Sequence, residues 1–298
     1  MTRVDEALAA ARDRLTASPS AGLDAELLLA ATLGRRRTWL HAWPEATLSP
    51  GEAEQFEERI ARRAAGEPIA YLLGEREFWS LTFTVSPDVL IPRPETEGLV
   101  RVALEHLRTN AVTEPRILDL GTGSGCVALA LAHERPDAHV TAVEAASPTL
   151  EIARANAARH GIVNVEFIEG SWFTPLGSRR FDVIVSNPPY IATGDPHLSA
   201  GDVRFEPVAA LDGGPDGLDG LREIAAGAPY HLQPGGLVAV EHGADQGDAV
   251  VSLFTAEGLT TVETHADDAG LPRITAARAP GPQRKGDTTQ SRGEHREN

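Results

Sequence analysis

The sequence predicts an α/β protein: a largely parallel sheet covered by helices on both faces, preceded by a small all-helical unit. Three observations carry this. From residue 116 onward, short apolar runs alternate with helix-period segments, the pattern of strands buried on both faces. Before residue 75, apolar residues recur at three- and four-residue steps, the stripe of amphipathic helices. After the first apolar run stands Gly121-Thr122-Gly123-Ser124-Gly125, a glycine-rich strand-to-helix turn.

The elements follow in order. Val4, Ala7, Leu8, Ala11 and Leu15 form one stripe, and Ser18-Pro19-Ser20 breaks it. Leu23–Leu33 is a second helix, closed by Gly34 just past its end. Ser49 caps a third: Pro50 suits the first helical position and Glu52 completes a capping box. Ala53, Phe56, Ile60 and Ala64 are its buried stripe, and Gly66 ends it. This helical unit covers 1–75. Glu77–Val85 is rich in aromatic and β-branched residues and reads as a strand pair or hairpin. Pro92 and Pro94 stiffen the next stretch, so 76–95 is a hairpin and proline linker, with a helix over 95–108 after it. Arg93, Glu95 and Glu97 are expected to order this junction rather than to face a ligand.

The main domain spans 96–280. Strands are expected at 117–120, 139–143, 165–168, 181–186 and 235–241, with helices at 127–132 and 148–160. Residues 281–298 carry no apolar side chain past Pro282 and should be disordered. A long loop after residue 190, containing Arg204-Phe205-Glu206-Pro207, sits where lids are often found.

Composition narrows the function. The chain has 298 residues, 43 acidic against 27 basic side chains, and a net charge of −16. At roughly 100–200 residues per domain, this is about two domains. The acidic surplus repels phosphates, which argues against charge-driven nucleic-acid or anionic-membrane binding. Lys285 is the only lysine, so Schiff-base chemistry in a folded core is nearly excluded. Cys126 is the only cysteine, which rules out an intramolecular disulfide and a multi-cysteine metal site; no metal is expected. Cys126 reads as a small buried helix residue, since no base stands near it in sequence. The ten histidines, His133, His160 and His242 among them, are scattered and read as surface residues. The start lacks a signal-peptide pattern, and the longest apolar runs, such as Leu27–Leu33, fall far short of the ~18 residues of a membrane span. A soluble, cytoplasmic protein is expected. Arg35-Arg36-Arg37 reads as a solvated charge run at a helix end.

Two motifs carry chemistry. In the first, the glycines of the 121–125 turn allow positive φ and close approach of backbone to a ligand, and free N–H groups at a helix start favour an anion. Cys126 stands where a dinucleotide fingerprint needs glycine, which disfavours a nicotinamide enzyme. Glu144 ends the second strand, about 20 residues on, where a carboxylate accepts both hydroxyls of a ribose. The second motif is Asn187-Pro188-Pro189-Tyr190, at the C-terminal end of an apolar strand. Its prolines fix the backbone and remove two donors. The Asn187 side-chain oxygen and the Pro188 carbonyl remain as acceptors for a planar –NH2 group, and Tyr190 can pack on a flat, conjugated one. An amide or an exocyclic amine suits this constellation as nucleophile.

Together, Asp119–Gly125 and Asn187–Tyr190 resemble the S-adenosylmethionine-dependent amino-methyltransferases. More narrowly, the chain resembles the peptide chain release factor N5-glutamine methyltransferases over about residues 1–279. That similarity includes Tyr71-Leu72-Leu73-Gly74, Phe78-Trp79, Ile91–Glu97, Arg204–Pro207, Ala210–Gly214 and Asp216-Gly217-Leu218. The resemblance implies a Rossmann-like seven-stranded methyltransferase sheet with one antiparallel edge strand, a helical N-terminal substrate-recognition domain and a β-hairpin linker. It implies methylation of the glutamine side-chain amide in the Gly-Gly-Gln loop of class 1 release factors, with S-adenosyl-L-methionine as cofactor. Carried over, Gly121, Thr122, Gly123, Ser124, Gly125 and Glu144 hold the cofactor, Trp172 lies near its adenine, and Asn187, Pro188, Pro189 and Tyr190 grip the glutamine. Asn187 then touches both cofactor and substrate. Two departures stand out: Glu144 and Ser171 occupy positions where the family usually has aspartate. The rivals are a nucleic-acid methyltransferase using the same Asn-Pro-Pro-Tyr chemistry on adenine or guanine, and a non-catalytic cofactor-binding protein. The expected partner is a release factor rather than nucleic acid or membrane, and the chain is expected to be a monomer.

Overall fold

The computed structural model describes residues 2–281, so all of the expected tail except Gly281 lies outside the described residues. Its first part is helical: α1 (Val4–Arg14), α2 (Ala21–Leu33), α3 (Arg37–Ala42), α4 (Pro50–Ala64) and α5 (Ile69–Leu73). α3 and α5 have only 6 and 5 residues, too few for an apolar stripe to repeat. The stripes of α1, α2 and α4 meet in one core of Val4, Ala11, Leu28, Leu29, Phe56 and Ile60. α2 stops at Gly34, whose φ is 60°, and Ser49 and Glu52 cap α4 reciprocally. Arg37 pairs with Glu26, and Arg35 lies over the Trp39 ring, so two of the three arginines there have local partners.

A hairpin of β1 (Glu75–Phe78) and β2 (Leu81–Thr84) follows. Its two-residue turn, Trp79-Ser80, has φ of 51° and 59°, the conformation that matches strand twist in a tight hairpin. The turn lacks the usual glycine or asparagine. Trp79 is held instead by its N–H to Glu97 Oε1 (3.1 Å) and its indole N–H to Glu134 Oε1 (2.7 Å). Glu97 is thus a structural anchor.

The remaining elements are α6 (Glu97–Thr109), β3 (Arg116–Leu120), α7 (Cys126–Glu134), β4 (His139–Glu144), α8 (Ser147–His160), β5 (Val165–Glu169), β6 (Phe181–Ser186), α9 (Asp219–His231), β7 (Leu232–Glu241), α10 (Gly247–Ala256), β8 (Thr260–Ala266) and β9 (Pro272–Arg278). The sheet has 7 strands in the order β5-β4-β3-β6-β7-β9-β8. β3 to β7 pair in parallel, and β9 runs antiparallel to both of its neighbours. The antiparallel strand is therefore not at the edge, as expected, but one place in. Burial explains the order: Ile274–Ala277 of β9 are buried, whereas β8 is largely exposed and suits an edge.

Successive strand residues face opposite sides of the sheet. Ile117, Val183 and Ala239 pack with Leu99 and Leu107 of α6 on one face. Leu118, Ile184 and Val238 pack with Leu221, Ile224 and Phe254 of α9 and α10 on the other. The surface expectation for histidines fails at His106, His231 and His242, which are buried. The ring of His242 is satisfied: Nδ1–H donates to the Gly243 carbonyl (2.8 Å) and Nε2 accepts from the Thr275 hydroxyl (2.9 Å). Burial holds its pKa below the ordinary value, so the neutral ring is a packing element.

The loop between β6 and α9 is tied down rather than free. Arg63 bonds Asp24 (2.7 Å) and Asp202 (3.0 Å), and Glu206 accepts from the Ile91 N–H (3.1 Å) while pairing with Arg93. The side chains of Arg63 and Asp24 are only 9% and 5% exposed. Arg63→Ala leaves Asp24 buried without its cation, and we expect a loss of about 3 kcal/mol, the lower end for a broken buried pair. Ser18 and Ser20 still bond Asp24, which limits the loss. A shift in urea midpoint measures it. Among the described residues, no helix is long and apolar enough to cross a membrane.

Candidate functional site

The chain order of the sheet reverses at β3, with β4 on one side and β6 on the other. Ligands of open α/β sheets bind outside the strand ends at such a point. A cavity of about 530 Å³ lies there. Gly121–Ser124 form one wall, Glu144 and Ala146 a second, Gly170-Ser171-Trp172 a third, and Asn187 with Pro189 a fourth. Three expected site residues are not in the walls. Gly125 is buried, and a Cβ on it would meet Ala153 and Leu129 at 3.2 Å, so it lets α7 start against α8. Pro188 is buried beside Gly220, and Tyr190 stands half-buried behind the wall.

The glycine turn works differently from a simple anion cradle. The N–H groups of Gly121 and Thr122 bond the Val143 carbonyl (2.9 and 3.0 Å), and that of Gly125 bonds Thr122. The Gly123 N–H bonds Glu144 Oε2 (3.0 Å). What Gly121 and Gly123 supply is positive φ (68° and 57°) and an open wall, since a Cβ on either would touch nothing of the protein. Asp119 braces the turn: it is 2% exposed and accepts from the Thr122 hydroxyl (2.6 Å) and the Ala128 N–H (3.2 Å). Burial, with Glu144 nearby, pushes its pKa up to about 6.

These residues fit an adenosyl cofactor. Glu144 accepts one backbone N–H on each oxygen, from Gly123 and Ala146, so two of its roughly four acceptor sites remain. The Ser124 hydroxyl lines the cavity, is buried, and meets no nitrogen or oxygen partner among the described residues; its one polar neighbour is the Cys126 thiol, a weak hydrogen-bonding group. A buried orphan of this kind is costly unless a ligand completes it. Cys126 is half-buried at the same wall, but burial and the charge of Asp119 push its thiol up to about 12, so it stays protonated and inert.

The Asn-Pro-Pro-Tyr turn is built by residues far away in sequence. Glu241, the last residue of β7, is 2% exposed. Its Oε2 accepts from the Thr96 hydroxyl (2.6 Å), and its Oε1 accepts from the Tyr190 hydroxyl (3.2 Å). The Asn187 Nδ2 donates to Thr96 Oγ1 (3.2 Å). Burial raises the Glu241 carboxyl to about 6, and burial beside that carboxylate raises the Tyr190 phenol. The Gln246 amide donates to the Tyr190 and Gly217 carbonyls (3.0 and 3.3 Å). Gly213 packs so closely that a Cβ on it would sit 2.6 Å from the Pro189 carbonyl oxygen.

Thr96, Glu241 and Gln246, which brace the turn, carry no motif of their own in the sequence. Thr96 stood in the Ile91–Glu97 run that carried the resemblance. Glu241 had a signal of its own: a carboxylate directly after Leu237–Val240 ends a buried strand, where charge is rare without a task. Arg93 also lines the cavity, in addition to its pairing with Glu206.

Comparison with known proteins identifies the family. The model of the PrmC N-terminal domain matches residues 6–74, and that of the methyltransferase small domain matches residues 99–205. A release factor glutamine methyltransferase from Xylella fastidiosa is 49% identical over 274 residues, 92% of this chain and 97% of the relative. Its counterpart from Pseudomonas aeruginosa is 51% identical over 262 residues, 88% of this chain and 94% of that one. The solved structure of a Thermus thermophilus 16S rRNA N2 G1207 methyltransferase, in complex with AdoMet and guanosine, shares the fold. It has a TM-score of 0.51 at 20% identity, covering 69% of this chain and 49% of that one. The chain is thus an enzyme that uses S-adenosyl-L-methionine. Matched along nearly its whole length by relatives of one kind, helical unit included, it belongs to the release factor glutamine methyltransferase family.

Proposed function

We propose that the chain methylates the side-chain amide nitrogen (N5) of the glutamine in the Gly-Gly-Gln loop of class 1 release factors, and so modulates translation termination. The observation that supports this most is the state of Asn187. Its –NH2 donates one N–H to Thr96, so its carbonyl oxygen is turned away from Thr96 and stays free as an acceptor in a residue that lines the cavity. An acceptor there suits a substrate that brings N–H groups.

S-adenosyl-L-methionine, when bound, supplies a methyl group on a sulfonium whose leaving group is neutral. The protein's task is the other reactant. An amide nitrogen is a weak nucleophile because its lone pair is delocalised into the carbonyl. Asn187 Oδ1, at the cavity wall, accepts one of its N–H bonds, which orients the nitrogen and favours the positive charge that grows on it; the Pro188 carbonyl, outside the walls in this structure, is the expected acceptor for the other. Orientation of this quality is worth roughly 7–11 kcal/mol of barrier. Tyr190, outside the walls, is fixed by Glu241 at its hydroxyl and by Gln246 at its carbonyl, so it holds the end of the turn that carries Asn187. No histidine base is assigned, because the methylated nitrogen loses its extra proton readily after transfer.

On the cofactor side, Glu144 would take the ribose hydroxyls on its two free acceptor sites, and Trp172 and Ser171, on another wall of the cavity, would hold the adenine, Ser171 without the charge of the usual aspartate. We expect Glu144→Ala to raise the S-adenosyl-L-methionine Kd about 10- to 100-fold by calorimetry, the loss of hydrogen bonds to a charged group. The helical unit over 1–75 recognises the release factor. The protein acts as a cytoplasmic monomer, and its net charge of −16 keeps it off nucleic acid.

The test gives purified protein labelled S-adenosyl-L-methionine and, in parallel, a release factor, DNA and RNA. Label on the release factor alone is expected. Label on nucleic acid instead would reassign the substrate.

A further inference from the structure

We propose that Glu241 is a positioning residue: acting through Thr96, it sets which end of the Asn187 amide meets the substrate, and directly it holds Tyr190. This rests on the glutamine-methylating function proposed above. A carboxylate has no proton to give, so the 2.6 Å contact can only be the Thr96 hydroxyl donating to Glu241. That uses the hydroxyl's single proton. Thr96 Oγ1 then meets its other neighbour as an acceptor, and Asn187 must turn its –NH2 toward it, as the 3.2 Å contact has it. The carboxamide oxygen faces away from Thr96 in consequence. One buried carboxylate thereby passes a direction through two hydrogen bonds to the group that receives the substrate.

With a neutral group at 241, the direction is no longer imposed. A donor there could bond Thr96 Oγ1 and free the hydroxyl proton for Asn187 Oδ1. The amide would then turn its –NH2 toward an incoming –NH2, and two donors would face each other. The Tyr190 arm ties the same carboxylate to the far end of the turn, so both ends of Asn-Pro-Pro-Tyr are referred to one point.

The charges around Glu241 define the pH range. Thr96 and Tyr190 bond it, Arg273 on β9 favours its charged form, Glu95 opposes it, and Cys126 on α7 senses it. Its neighbour His242 is occupied with Thr275 and Gly243. Burial raises the carboxyl to about 6. As pH falls through that value the group takes up a proton, and the imposed direction is lost.

The test compares Glu241→Gln, Thr96→Val, Thr96→Ser and the Gln/Val double variant in the full chain, with a release factor and saturating S-adenosyl-L-methionine. Glu241→Gln and Thr96→Val should each lower kcat about 10- to 100-fold, with release-factor KM and the calorimetric cofactor Kd within about twofold. Thr96→Ser keeps the hydroxyl and should stay within about threefold of wild type; the double variant should lose no more than Glu241→Gln alone. Wild-type kcat should fall below a pH of about 6, and this limb should vanish in Glu241→Gln. Asp119 titrates in the same range, but on the cofactor wall, where calorimetry reads it. The apo melting temperature of Glu241→Gln at alkaline pH should be unchanged or raised, because a buried charge has gone.

Wild-type kcat in Glu241→Gln, additive losses in the double variant, or a retained acid limb would overturn the proposal. Should the Gln variant not fold, equal losses in Thr96→Val and Thr96→Ser would overturn it. An active wild type with an equally active Gln variant defeats the proposal alone, whereas a wild type inactive on every release factor defeats the function beneath it.

Discussion

Asn187→Ala is expected to lower kcat for release-factor methylation by about 10²–10³-fold, the usual loss when one preorganised polar group at a reacting centre is removed. The S-adenosyl-L-methionine Kd should move only a few-fold, because Asn187 stands on one wall of the cavity and the glycine turn and Glu144 on others. The replacement is clean. Asn187 is only half-buried, and its one side-chain bond is to Thr96, which keeps Glu241 as its partner. A matching loss of stability is therefore not expected, and thermal melting checks it. The split between turnover and cofactor affinity separates a substrate-gripping role from a cofactor-holding one.

Gly213→Ala should have the second-largest effect, although Gly213 carries no side chain to do chemistry. An added Cβ would sit 2.6 Å from the Pro189 carbonyl oxygen and 2.8 Å from that of Gly217, both backbone atoms that no side-chain rotation relieves. The 211–217 segment is bonded across to the motif, since the Ile191 N–H meets Leu211 (2.9 Å) and the Gly213 N–H meets Ile191 (2.8 Å). The clash is thus delivered to the Asn-Pro-Pro-Tyr turn. A displacement of order 1 Å costs about 10²-fold in rate. Overpacking adds about 1–3 kcal/mol of instability. Gly51→Ala is the control: it lies in α4 with open space where the Cβ would stand, and should be neutral or slightly stabilising. Kinetics and melting of the two variants side by side test this; equal activity in both would show that Gly213 does not shape the turn.

What could be read in the sequence was what neighbouring residues determine. The stripes of α1 and α4, the Ser49–Glu52 cap and the alternation of β3, α7, β4 and α8 are local patterns, and the folded chain has these elements. Asn187 stands at the end of β6 because a β-branched run simply stops there. What escaped was set over distance. Thr96 and Glu241 are 145 residues apart, and nothing local marks either as the other's partner. α9 was missed because Gly220, Gly227 and Pro229 look like breakers. Gly220 is small because Trp172 and Pro188 lie against it, and Gly227 because Phe173 does. The resemblance implies an antiparallel strand at the edge; β9 lies one place in because β8 pairs along its outer side, a pairing no local pattern marks. His242 looked like surface, yet Thr275, on a strand paired beside it, completes its bonding.

The proposed reaction places one methyl group on one amide nitrogen, held by Asn187. Its most direct test is mass spectrometry of a class 1 release factor after incubation with the protein and S-adenosyl-L-methionine, with fragmentation that places the modification. The predicted result is a gain of one CH2 unit on the side chain of the Gly-Gly-Gln glutamine, absent with Asn187→Ala. An unmodified glutamine with the wild-type protein, or the same gain with Asn187→Ala, would contradict it.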